Sequence, residues 1–112
     1  MVSVAAARRI ALACPEAVEG AHMGHPDFRV GGKIFMTLWP EDKRAVVKLP
    51  PADQQALVQM DPAAFSLGGW SHQGWTRVQL ARVNAGQLRL LAGAAWRNVA
   101  PRRLLDRLPA VE

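Results

Sequence analysis

Cysteine is almost absent from this chain. One residue, Cys14, in 112 rules out an internal disulfide, and a reducing cytoplasm is the expected setting. No apolar run is long enough to span a bilayer. The opening segment "MVSVAAARRIALAC" resembles a leader only at first sight. Its arginines interrupt the apolar stretch instead of preceding it, so it reads as a helix of the mature protein. The sequence has no G-x-S-x-G elbow, no P-loop and no G-x-G-x-x-G, and no catalytic motif is read from it. Repeats, low-complexity tracts and linkers are also missing, which leaves one domain over residues 1–112. Metal ligands are sparse. His22-x-x-His25 is a close pair with no second pair to complete a site, and His72 and Cys14 stand apart. No metal and no other cofactor is expected. In "WSHQGW" (70–75), Ser71 sits beside His72, but neighbours on an extended chain point opposite ways, so the segment reads as a loop bracketed by Gly68-Gly69 and Gly74. Acidic residues are outnumbered, nine against fourteen basic ones, for a formal net charge of +5. Eleven of the fourteen are arginine, the side chain best shaped for bidentate phosphate contacts. This balance favours polyanionic partners.

The remaining composition is globular, half hydrophobic and about a fifth charged. A helix is predicted from about Ser3, which can cap it, to Cys14, where Pro15 limits it. "PEAVEGAHMGHP" follows as a loop with a short strand near His22. Strands are predicted near 27–30 and 33–39, with "PEDKR" as the next turn and "AVVKLP" (45–50) as a further strand. "PPADQQALVQM" reads as a short helix with Pro51 in its first turn. "AAFSLGGW" is a strand and turn, and "GWTRVQLARV" (74–83) is a strand. Asn84 and Gln87 have capping-box spacing. Leu88, Leu91, Ala92, Ala95 and Val99 then mark the buried stripe of the longest helix. Ala100-Pro101 breaks it, and "PRRLLDRL" forms a short terminal helix. The order α-β-β-β-α-β-β-α, without βαβ crossovers, predicts an α+β fold: an antiparallel sheet with helices on one face.

The hairpin "HPDFRVGGKIFMTLW" (25–39) determines what the other face carries. A two-residue Gly31-Gly32 turn would pair Val30 with Lys33 and mix polar and apolar residues on both sides. A three-residue loop would pair Arg29 with Lys33, with Gly32 in the left-handed conformation. It places Phe28, Ile34, Met36 and Leu38 on one face and Arg29, Lys33, Phe35, Thr37 and Trp39 on the other. That register separates the faces better and is the one predicted. Val47 and Leu49 alternate with Val46 and Lys48, and Val78 and Leu80 with Trp75, Arg77 and Gln79. The face opposite the helices should therefore carry Arg29, Lys33, Lys48 and Arg77 among Phe35, Trp39 and Trp75. Such a face suits phosphates and stacked bases. It would equally be an ordinary wet sheet face with its rings covered by a loop. Arg97, Arg102, Arg103 and Arg107 form a further basic cluster, read as a solvated helix surface. Trp96, beside the buried stripe, is read as core.

The motifs "PDFRVGGKIF" (26–35), Lys48 in "VVKLPP", Trp75 in "GWTRVQL" and Trp96 in "LLAGAAWRNVAP" together resemble the MmcQ/YjbR family of small bacterial proteins, over nearly the whole chain. The resemblance implies a CyaY/frataxin-like α+β fold and DNA binding through a double-wing arrangement. It implies no catalytic residues. Iron handling, which a frataxin-like fold suggests, would call for clustered carboxylates, and here the acidic residues are scattered. The functional expectation is therefore a non-enzymatic DNA-binding protein. Arg29, Lys33, Lys48 and Arg77 would meet the backbone, and Trp39 and Trp75 would stack or wedge. The alternative is a module that docks a protein or small ligand on the same tryptophan-bearing face.

Overall fold

The computed structural model describes residues 1–68 and 71–108. Helix α1 (Val4–Leu12) begins at Ser3, whose hydroxyl accepts the Ala6 N–H at 3.0 Å. Four strands follow: β1 (Val18–His22), β2 (His25–Val30), β3 (Lys33–Trp39) and β4 (Arg44–Lys48). Between β3 and β4 the chain makes one 3-10 turn over Pro40–Asp42, closed by Lys43 in the left-handed conformation. Helix α2 (Pro51–Met60), strands β5 (Phe65–Leu67) and β6 (Trp75–Gln79) and helix α3 (Ala85–Val99) complete the main elements, and a 3-10 segment, Arg102–Arg107, ends the described chain. The capping box at α3 is formed: Asn84 Oδ1 accepts the Gln87 N–H at 2.8 Å and Gln87 Oε1 accepts the Asn84 N–H at 2.9 Å.

The six strands form one antiparallel sheet in the order β1-β2-β3-β4-β6-β5. The predicted architecture holds, and the short strand expected near His22 is the edge strand β1. Gly69 and Trp70, part of the predicted turn after β5, lie outside the described residues. One face packs on the helices. Phe28, Val30, Met36, Leu38, Ala45, Val47 and Val78 from the sheet meet a core completed by Ala7, Ala11, Leu88, Ala92, Ala95 and Trp96. Burial on this scale is the dominant stabilising term in a domain of this size. Trp96 is fully buried, and its indole N–H donates to the Pro15 carbonyl at 2.9 Å, tying α3 to the end of α1.

The hairpin register differs from the predicted one. Val30 pairs with Lys33 across a two-residue turn, and Gly31 and Gly32 both have positive φ, 59° and 80°, as a type I′ turn requires. A β-bulge reconciles this turn with separated faces. Arg29 pairs with Ile34 but Phe28 pairs with Met36, so Phe35 is an extra residue on β3. The bulge resets the side-chain phase. Phe35 and Met36 are consecutive yet both fully buried. Thr37 and Trp39 then point away from the helices. The predicted positions of three residues are thereby corrected. Lys33 lies opposite Val30 at the hairpin tip, Phe35 is in the core, and Ile34 joins the outer face beside Arg29.

Candidate functional site

The sheet face away from the helices carries an open groove of about 640 Å³. Its floor comes from β3, β4 and β6: Ile34, Thr37, Trp39, Arg44, Val46, Trp75 and Arg77. His22 and Met23, at the β1–β2 turn, and Gly68 and Gln73, beside β6, form its margins. The ladder sets this arrangement. Trp39 pairs with Arg44 and Arg44 with Gln79; Val46 pairs with Arg77, and Lys48 with Trp75. Paired residues share a face, so each row across the sheet brings a ring or a cation to the groove. Trp39 and Trp75 stand at opposite corners, two strand spacings apart across the sheet and four residues along it. That is roughly 10 Å by 13 Å from standard strand geometry.

The two tryptophans have different neighbours. The Trp39 ring is flanked from both adjoining strands. His25 of β2 stacks on it with centroids 3.7 Å apart, and the Arg44 guanidinium of β4 lies 5.2 Å from its centroid. Its indole N–H donates to Thr37 Oγ1 at 3.1 Å. His25 Nε2 in turn lies 2.8 Å from Glu41 Oε1. Glu41 is held below the usual carboxylate range, first by a backbone hydrogen bond and then by His25. Arg44, only 17% exposed, pairs with Asp42 at 3.3 Å, while its buried Nε finds no acceptor. Trp75 has the Lys48 ammonium 5.5 Å from its centroid on one side. On the β5 side, one step beyond the Leu67–Thr76 pair, is Gly68. Gly68 leaves room for the Arg77 guanidinium: a Cβ there would lie 2.9 Å from Arg77 Nε.

The start of β6 is anchored from behind. The Gly74 carbonyl accepts the Leu49 N–H at 2.9 Å and the Thr76 hydroxyl at 3.1 Å. The buried Gln54 of α2 donates to the Trp75 carbonyl at 3.0 Å.

The sequence-derived residues thus separate. Lys48, Trp75, Arg77 and Trp39 come together on the groove face. Arg29 shares that face, but its guanidinium makes two hydrogen bonds to the fully buried Asp27 carboxylate, at 2.9 and 3.0 Å. Those bonds, and then the charge attraction, push the Arg29 pKa further up. Gly20 of β1 makes room for the pair, since a Cβ there would sit 2.9 Å from Asp27 Oδ1. Lys33 is at the hairpin tip, away from the groove. Sequence reasoning missed Arg44, whose position in "PEDKR" reads as turn, and His25, whose partner Trp39 is on the next strand. The C-terminal arginines gather elsewhere. Arg103 and Arg107 each lie 3.5 Å from a Glu16 oxygen, and Arg97 donates to the Leu105 and Leu108 carbonyls. Among the described residues no group of three or more His, Cys, Asp or Glu could hold a metal ion, and no helix is long and apolar enough to cross a membrane.

An antiparallel sheet backed by helices on one side and open, basic and aromatic on the other defines an α+β domain. The YjbR family model matches residues 12–98, and the chain belongs to that family. No curated protein matches it. Among solved structures it is similar to the Deinococcus radiodurans protein DR2400, described as a DUF419 domain, with a TM-score of 0.79 and 20% identity over 92% of this chain and 82% of that one. At that identity the likeness bears on the fold.

Proposed function

We propose that this protein binds DNA through the groove on the outer sheet face. The supporting observation is the convergence of Arg44 and Arg77 with two tryptophans in an open groove on the outer sheet face, with Lys48 held against Trp75 beside it. Lys48 and Arg77 have no carboxylate partner among the described residues. Lys48 and Arg77, joined by Arg44 where phosphate displaces Asp42 from it, give an electrostatic association with modest sequence preference. Arg29, neutralised by Asp27, and Lys33, at the hairpin tip, have lesser parts in this reading than the sequence alone suggests.

Fluorescence anisotropy of labelled DNA across a salt series tests it. Two or three phosphate contacts predict a log–log slope of about −1.4 to −2.7, hence roughly a 7- to 40-fold loss of affinity between 50 and 200 mM salt. Lys48→Glu combined with Arg77→Glu should abolish binding while circular dichroism stays native. A flat salt response, or a folded double variant that binds as well as the parent, would rule the reading out. The face would then be examined for protein or small-ligand docking.

A further inference from the structure

The turn between β1 and β2 holds a large apolar side chain where turn chemistry disfavours one. His22 pairs with His25, so Met23 and Gly24 form a two-residue turn, and both have positive φ, 52° and 82°. Asn, Asp and Gly suit the first position of such a turn because they tolerate the left-handed backbone. The β2–β3 turn follows that rule with Gly31 and Gly32. The β1–β2 turn instead presents methionine, 86% exposed. Its tip projects freely, since a Cβ on Gly24 would have nothing within 4 Å. Its base is fixed: His25 stacks on Trp39, and His25 Nε2 lies 2.8 Å from Glu41 Oε1. A left-handed backbone, an apolar side chain in water and an anchored base thus coincide at the margin of the groove, which Met23 helps to line. We infer that Met23 is an apolar wedge that enters between neighbouring bases when phosphates rest on Arg44 and Arg77. The inference rests on the DNA-binding reading above and names a base-contacting residue for it.

Three features support it. Strand β2, at the foot of the turn, is two strand spacings from β4, which carries Arg44, roughly 10 Å away. Met23 therefore meets the part of the ligand that lies beside the held phosphates, and in DNA the apolar surface there is that of the bases. Met23 and Gly24 carry no charge, so a contact made by the tip is an apolar one and not another phosphate contact. Methionine is among the side chains that part stacked bases, and its unbranched thioether adapts to the gap it fills.

The test uses a short DNA in which every third base is 2-aminopurine, whose emission rises on unstacking, both as a single strand and annealed to its complement. The full chain is added to saturation at low salt, so that a change of affinity does not enter the signal. Four proteins are measured: the parent, Met23→Asn, Met23→Gly and Met23→Leu, each checked for its fold by circular dichroism. The parent should raise the emission of the form it binds. Asn and Gly both suit the left-handed turn position, so these variants keep the turn and remove only the apolar chain, and both should lose most of the rise. Met23→Leu supplies an apolar chain of similar size and should recover it. A parent that binds without raising the emission overturns the inference while leaving the DNA-binding reading in place. So does a rise that survives in Met23→Asn and Met23→Gly, or a loss that Met23→Leu fails to recover. Failure of the folded parent to bind either form overturns both.

Discussion

Gly74 and Gly32 both have positive φ, +90° and +80°, but only Gly74 is crowded. A Cβ on Gly74 would lie 2.0 Å from the Leu49 carbonyl oxygen, and a Cβ on Gly32 would have nothing within 4 Å. Alanine at either position incurs the left-handed backbone cost of about 1–2 kcal/mol. At Gly74 a carbon–oxygen contact near 3.5 Å must also be restored, which moves one backbone by more than ~1 Å. That displacement strains the two hydrogen bonds that end on the Gly74 carbonyl, each a net contribution of about 1 kcal/mol. Gly74→Ala should therefore cost about 3–5 kcal/mol and Gly32→Ala about 1–2. Against a stability of roughly 6–17 kcal/mol for a domain of this length, the first is severe. With about 3–6 °C per kcal/mol, Tm should fall by ~9–30 °C for Gly74→Ala and by ~3–12 °C for Gly32→Ala. Thermal and urea unfolding followed by circular dichroism would measure both. Equal losses would refute the reasoning, because they would mean that the close approach of Leu49 to Gly74 contributes nothing beyond backbone conformation.

Further outcomes concern single residues. Burial pushes the Cys14 thiol up to about 11 from 9.0. The folded state therefore holds this proton more tightly than the unfolded state, and Cys14 should make stability decline as pH rises from about 9 to 11, with no effect at neutral pH. A Cys14→Ala variant should lack that component in urea melts, and iodoacetamide should label the parent at pH 8 only under denaturing conditions. Trp96→Phe removes the donor to the Pro15 carbonyl and part of a buried ring, and the urea midpoint should fall by the equivalent of about 2–3 kcal/mol with an unchanged m-value. Trp39→Ala takes away the ring shared by His25 and Arg44. It should destabilise by about 2 kcal/mol, less than a fully buried ring, and Trp39→Phe should recover much of that loss in the same melts.

Local signals in the sequence carried most of the fold. Ser3, the Asn84–Gln87 box, Pro51 and the stripe Leu88–Leu91–Ala92–Ala95 act within a turn or two of chain, and each appears where the pattern places it. The hairpin was harder to read because two local preferences conflicted. Gly-Gly favours a two-residue turn, and clean alternation favours a longer loop. The structure satisfies both by inserting Phe35 as a bulge; the consecutive apolar run Ile34-Phe35-Met36, which breaks alternation, was the available clue. The site was legible only in part. Lys48, Trp75 and Arg77 follow from strand alternation. The Asp27–Arg29 pair lying over Gly20, and the stack of His25, Trp39 and Arg44, depend on which strand lies beside which. Pairing between strands is not written in any one of them.

Strands β4 and β6 are interior strands of the sheet, and their residues alternate between core and groove. Ala45, Val47 and Val78 hold the fold together on one side, and Arg44, Val46, Lys48 and Arg77 face the groove on the other. The two sets interleave in sequence yet are separated by the thickness of a sheet. Evolution can therefore rewrite the outward letters, exchanging cations for apolar or acidic groups, while the inward letters stay fixed. A fold built this way can pass from one ligand to another without passing through an unfolded intermediate sequence, and its members can diverge in what they bind while their backbones remain superimposable.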